Sequence, residues 1–166
     1  MSPHDNPPTA AVLFVCLGNI CRSPLAEAAL RQVAEREGID IHVDSAGTGD
    51  WHIGLPPDLR AQAVAKRLGG LDISALRARQ VSRDDFYRFD HILAMDRSNL
   101  SNLQVMMPVS ATAKLTLFLD HVPGQKGQSV ADPYYGDVAE FEACWRQVNA
   151  AAGCFINVLA AESGFA

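Results

Sequence analysis

Val12-Leu13-Phe14-Val15-Cys16-Leu17-Gly18-Asn19-Ile20-Cys21-Arg22-Ser23-Pro24 passes from a continuous apolar run into a cysteine, a short loop, an arginine, a hydroxyl residue and a proline. Such a run suits a parallel strand buried on both faces. Pro24 suits the first turn of a helix, and Ser23 is expected to cap it. The stretch therefore reads as strand, tight loop and helix, with a thiol where the strand ends. Backbone N–H groups of such a loop can converge on one point, and the helix N-terminus adds positive potential there. The result is an anion cradle, and the same field favours a thiolate at Cys16.

Outward from this stretch, strands and helices alternate. Leu25, Ala28, Ala29 and Val33 give the first helix an apolar stripe, and Gly38 ends it. Ile41 to Ser45 alternates like a second strand. Residues 46–57 form a Gly/Pro-rich loop carrying Trp51, and Asp58 is placed to cap a helix that reaches Leu68 and is closed by Gly69 and Gly70. Ser82-Arg83-Asp84-Asp85 resembles a capping box, with Asp where Glu is usual, and predicts a short helix. His91 to Met95 reads as the third strand, Arg97 to Met106 as a helix stopped by Pro108, and Lys114 to Leu119 as the fourth strand. Residues 120–136 form a long loop, and loops of that length are often functional. Asp137-Val138-Ala139-Glu140 has capping-box chemistry and opens a last helix to about Ala161.

This order predicts an α/β, three-layer, doubly wound fold: a four-stranded parallel sheet with helices on both faces. Ligands bind at the carboxyl ends of the strands in such folds. Cys16 lies at that end of the first strand and Asp96 at that end of the third. Asp96 is read equally as a helix cap and as a support for the site.

The chain has 166 residues, 48% of them hydrophobic and 20% charged, which fits one folded domain. That domain is expected over 11–163, after a flexible tail over 1–10 that holds Pro3, Pro7 and Pro8. A net charge of −5 argues against nucleic acid as a partner. No stretch reaches the ~20 apolar residues of a membrane span. The run from Ala10 to Leu17 has no Lys or Arg before it, so it is not read as a signal peptide. A cytoplasmic location is expected. The four cysteines, Cys16, Cys21, Cys144 and Cys154, show no zinc-ligand pairing, and His42, His52, His91 and His121 have no metal-ligand spacing. No metal and no cofactor are expected. Cys144 and Cys154 sit about 15 Å apart along one helix, too far for a disulfide, and are read as core.

Cleavage of a phosphate ester needs a nucleophile, a charge clamp and an acid for the leaving group. Cys16 is the candidate nucleophile. Arg22 is the candidate clamp, because its planar fork matches two phosphate oxygens and keeps its charge. The loop from Leu17 through Gly18, Asn19, Ile20 and Cys21 would hold the oxygens with its amides. Gly18 is expected to relieve backbone angles, and Asn19 to take a left-handed conformation while its amide ties the loop. Ser23 is placed to hydrogen-bond the sulfur. The acid is sought in Asp132-Pro133-Tyr134-Tyr135-Gly136, where Asp132 is a general acid/base candidate. Tyr134, Tyr135 and Trp51 would wall an aromatic slot. With Asp132 protonated beside an ionised Cys16, an acidic to neutral activity optimum follows.

The chain resembles the low-molecular-weight protein tyrosine phosphatase family, also called low-molecular-weight acid phosphatases. The resemblance rests on the Cys16–Pro24 signature, Asp44-Ser45 with Gly47, Asp50-Trp51, Ala78-Arg79-Gln80, Met95-Asp96 with Ser98-Asn99, and Asp132 to Gly136. It implies Cys16 as nucleophile, Arg22 as the phosphate-binding catalytic residue, Asp132 as proton donor, a four-stranded parallel sheet and no metal. It places Asn19, Ser23 and Ser45 among residues that stabilise the phosphate loop. It also implies a redox role for Cys21, a reversible disulfide with Cys16, beside the plain packing reading. The partners it implies are tyrosine-phosphorylated proteins, a tyrosine kinase being one candidate. Inorganic phosphate and vanadate are expected as inhibitors, and the chain is expected to be a monomer.

Three other readings share these residues. A phosphoarginine phosphatase of the same fold resembles this chain but carries Thr where Ile20 stands. An arsenate reductase shares the anion loop but needs further cysteines, and 97–108 has none. A non-catalytic phosphate-binding module would not need Cys16, Arg22 and Asp132 together.

Overall fold

The computed structural model describes residues 10–163. The tail expected over 1–10 lies outside the described residues except for Ala10, which begins the first strand. In chain order the elements are β1 (Ala10–Cys16), α1 (Arg22–Glu37), β2 (Ile41–Gly47), α2 (Leu59–Gly69) and α3 (Asp85–Arg88), followed by β3 (His91–Ala94), α4 (Arg97–Met106), β4 (Lys114–Leu117) and α5 (Val138–Glu162). The strands form one sheet in the order β2-β1-β3-β4, and every pair is parallel. The expected α/β architecture is therefore present. β1 is central, with the chain leaving it first to one side and later to the other. The crevice between the carboxyl ends of β1 and β3 is the topological switch point where ligands bind in such sheets.

The apolar run of β1 serves both layers. Val12, Phe14 and Cys16 join the core shared with α1, α2 and α5. Leu13 and Val15 join the core shared with α3 and α4, around Phe86, Phe89 and Leu103. Side chains alternate across a strand, so burial on both faces demands the unbroken run seen in the sequence.

Capping follows the sequence at most ends. Asp58 accepts from the Arg60 N–H at the start of α2, and Asp137 and Glu140 form the capping box of α5. Gly38 and Gly70 end α1 and α2 at φ 68° and 65°, the left-handed region that favours glycine. Other expectations differ. Ser23 does not cap α1: the helix begins at Arg22, and its cap residue, Cys21, makes no side-chain cap bond. The Ser82 hydroxyl does not complete a capping box. Instead Asp85 reaches back to the Ser82 N–H at 2.8 Å and pairs with Arg79. The fourth strand stops at Leu117, because Phe118–His121 winds into a 3₁₀ turn whose Asp120 accepts from the Leu117 N–H. Cys144 is core as expected, whereas Cys154 is only half-buried.

Candidate active site

β1 delivers Cys16 to the floor of a cavity of about 400 Å³. Leu17, Gly18, Ile20, Cys21 and Arg22 line it from the loop, and Asp132, Tyr134 and Tyr135 line it from the far loop. Trp51 and His52 close the third side. Each of the three catalytic candidates thus reaches the same cavity. Of the aromatic walls, Tyr134 is 37% exposed and Tyr135 94%, so the second tyrosine forms an outer rim more than a slot.

The Cys16 sulfur has two close polar neighbours: the Asn19 N–H donates to it at 3.2 Å, and the Ser23 Oγ lies 3.0 Å away. Ser23 lies inside the first turn of α1 rather than at its cap, and its hydroxyl is engaged with the thiol. Asn19 is the one non-glycine residue with positive φ among the described residues, at 58°. Its buried amide donates to Ser23 Oγ at 2.8 Å and to Ser45 Oγ at 2.9 Å, and its carbonyl accepts from the Arg79 N–H at 3.0 Å. These three bonds hold a conformation that a short polar side chain tolerates best. Gly18, by contrast, has no positive φ. Its lack of a side chain serves space instead, since a Cβ there would sit 2.9 Å from the His52 ring. Gly47 is constrained more tightly: a Cβ would meet the Leu17 carbonyl oxygen at 2.8 Å.

Arg22 is buried, with 3% of its side chain exposed. Its Nη1 donates to Asp96 at 2.7 Å and to the Val130 carbonyl at 3.0 Å. Nε and Nη2 remain for an anion, and Nη2 lies 3.6 Å from Asp132. Burial alone would lower the pKa of Arg22, yet the Cys16 sulfur and the Asp96 carboxylate raise it above its ordinary value. Asp96 also caps α4 by accepting from the Asn99 N–H at 2.7 Å, so one carboxylate holds both the helix start and the Arg22 guanidinium. Cys21 is buried against the loop, and burial pushes its thiol far up, with the charges of Asp58, Cys16 and Asp132 adding to the effect.

The sequence pattern assigns no role to four contributors. Glu27 is buried on α1 and accepts from Ser45 Oγ at 2.7 Å. Arg79 lends its backbone N–H to Asn19 while Asp85 and Asp44 hold its guanidinium. His52 has no metal-ligand spacing, but it lines the cavity. Arg60 holds the loop after Asp132 by donating to the carbonyls of Tyr134 and Gly136. Among the described residues no group of three or more His, Cys, Asp or Glu is arranged to hold a metal ion, and no helix is long and apolar enough to cross a membrane.

The model of the family described as low molecular weight phosphotyrosine protein phosphatase matches residues 11–164. The chain belongs to that family. A low molecular weight phosphotyrosine protein phosphatase of Schizosaccharomyces pombe is 45% identical over 140 residues, covering 82% of this chain and 88% of the relative. The crystal structure of YfkJ from Bacillus subtilis superposes with a TM-score of 0.83 at 39% identity, covering 92% of this chain and 96% of that one. An arginine phosphatase from Drosophila gives 0.82 at 36% identity, covering 88% and 95%. The low molecular weight phosphatase family is thus shown by sequence and by fold alike.

Proposed function

We propose that this chain hydrolyses phosphotyrosine in proteins, and small aryl phosphates, through a phosphocysteine intermediate. The observation that carries this reading is the meeting of Cys16, Arg22 and Asp132 on one cavity, with Asn19 N–H and Ser23 Oγ directed at the sulfur. In the first step the Cys16 thiolate attacks phosphorus, the P–O bond to the aryl group breaks, and Asp132 gives its proton to the departing phenolate. Arg22 and the amides from Leu17 to Arg22 hold the phosphoryl oxygens as charge builds on them. In the second step water attacks phosphorus and Asp132 takes its proton. The S–P bond then breaks, inorganic phosphate leaves, and Ser23 donates to the returning thiolate.

The cavity favours an aromatic ester. Ile20, Trp51 and Tyr134 line the cavity with apolar surface of the kind that suits an aromatic ring. A phosphoarginine side chain would instead call for acceptors around its guanidinium. Tyrosine-phosphorylated proteins are the proposed partners, with phosphate and vanadate as competitors at the cradle.

Phosphate release from a phosphotyrosine peptide and from a phosphoarginine peptide, by the wild type and by Cys16→Ser, tests the reading. Turnover of the first peptide alone, abolished in the variant, is expected. Preference for phosphoarginine would move the chain to the second activity. Equal turnover in both proteins would remove Cys16 from the mechanism, and no turnover in either would leave a binding module.

A further inference from the structure

Asp132 lies in a stretch with no helix or strand between the 3₁₀ turn and α5, yet a proton donor must be placed to within a fraction of an ångström. The chain before it is tied to the sheet: the Val130 N–H donates to the Met95 carbonyl at 2.8 Å, and the Val130 carbonyl accepts from Arg22. The chain after it turns back on itself, with the Tyr134 N–H on Asp132 Oδ1 at 3.1 Å and the Gly136 N–H on the Pro133 carbonyl at 2.8 Å. That turn is held to the body by Arg60. Its Nη2 donates to the Tyr134 carbonyl and its Nη1 to the Gly136 carbonyl, both at 3.0 Å.

Arg60 is itself fixed. Asp58 grips Nε and Nη2 at 3.0 and 2.9 Å, and the guanidinium lies over the Phe141 ring at 4.5 Å and the Tyr134 ring at 5.7 Å. Asp58 in turn gives its N–H to the Ile20 carbonyl at 2.9 Å, inside the loop that follows Cys16. One continuous path therefore runs from the nucleophile's loop through Asp58 and Arg60 to both carbonyls of the acid's turn. We infer that Arg60 is a positioning residue for proton transfer: it sets the distance between Asp132 and the leaving oxygen, with Asp58 as its anchor in the nucleophile's loop. Arg60 is not among the residues that line the cavity. A rigid planar fork suits the task, because its two Nη atoms hold the two carbonyls at a fixed separation, whereas a lysine offers a single nitrogen.

This inference rests on Asp132 being the acid, and the test separates the two. The quantity to read is the slope of log kcat/KM against leaving-group pKa over a series of aryl phosphates, since kcat/KM reports the step that breaks the P–O bond. Good leaving groups need little proton assistance and poor ones need much. Arg60→Gln should therefore lose about tenfold or more on phenyl phosphate while changing little on a nitrophenyl ester, which steepens the slope. Arg60→Lys, which keeps the charge, should fall between wild type and Arg60→Gln. Asp132→Asn should be steep already, and adding Arg60→Gln to it should not steepen it further.

A merely structural role would lower the melting temperature and reduce every substrate by one factor, leaving the slope unchanged; that result overturns the inference. So does a further steepening in the double variant. If Asp132→Asn leaves the slope flat, the acid assignment itself falls and the role of Arg60 falls with it. If Arg60→Gln does not fold, the slope of Arg60→Lys decides alone: steeper supports the inference, unchanged ends it.

Discussion

The hydroxyl of Ser23 lies 3.0 Å from the sulfur of Cys16, and the Asn19 amide holds it there from 2.8 Å. A residue placed by its sequence position to cap a helix has been recruited to the thiol instead. In the proposed mechanism that hydroxyl matters most when the sulfur leaves phosphorus as an anion.

Ser23→Ala should therefore slow breakdown of the intermediate more than its formation. A hydrogen bond to a charged group contributes about 1.5–3 kcal/mol, or roughly ten- to a hundredfold in rate. The expected outcome is a lower kcat, a smaller loss in kcat/KM, and a clear burst of phenolate in stopped flow. Unchanged kcat would show that the hydroxyl is idle.

Asn19 combines a left-handed backbone with three buried bonds. Asn19→Gly keeps the backbone easy and loses the bonds, whereas Asn19→Ala loses both. The alanine variant should be less stable than the glycine variant by about 1 kcal/mol in urea titrations, the cost of a left-handed residue with a Cβ. Both should lose activity. Equal stability of the two would mean that the loop abandons this conformation once the side chain is gone.

Asp132→Asn should slow release of a poor leaving group such as phenolate by about 10²–10⁴-fold, while vanadate binds within a few-fold of wild type. Its side chain is 40% exposed, 3.6 Å from Arg22, and not part of the anion cradle. Comparable losses in turnover and in binding would make the residue structural.

The sequence carried the site's chemistry because that chemistry is local. Cys16 to Pro24 holds the nucleophile, the cradle and the clamp in nine consecutive residues, and the unbroken run before it required burial on both faces of a sheet. What it hid is long-range. Glu27 meets Ser45 across 18 positions, Arg79 meets Asn19 across 60, and Arg60 meets Tyr134 across 74. Glu27 and Arg79 sit in segments whose charges read equally well as solvated, and only the fold turns them inward. The apolar character of Phe118 and Leu119 predicts a strand two residues longer than β4, but their burial comes from a 3₁₀ turn.

Buried thiols give the fold an alkaline weakness. Burial raises Cys144 from 9.0 to about 12, and it raises Cys21 as well. The folded chain keeps these protons above pH 9, where the unfolded chain releases them. Their stabilisation is complete below the unfolded value and declines as pH rises towards the folded one, by about 1.4 kcal/mol per pH unit for each thiol. Unfolding free energies at pH 8, 9, 10 and 10.5 should show Cys144→Ala falling less steeply above pH 9 than the wild type. Parallel curves would contradict the shift.

The central claim is that the Cys16 sulfur bonds to phosphorus during turnover. Rapid quenching of the wild type with an aryl phosphate, followed by mass spectrometry under conditions that preserve S–P bonds, tests it most directly. A phosphate on the peptide bearing Cys16, formed within the first turnover and decaying no slower than kcat, is the predicted result. Active enzyme that never carries phosphate at that sulfur, or carries it on another residue, would contradict the account.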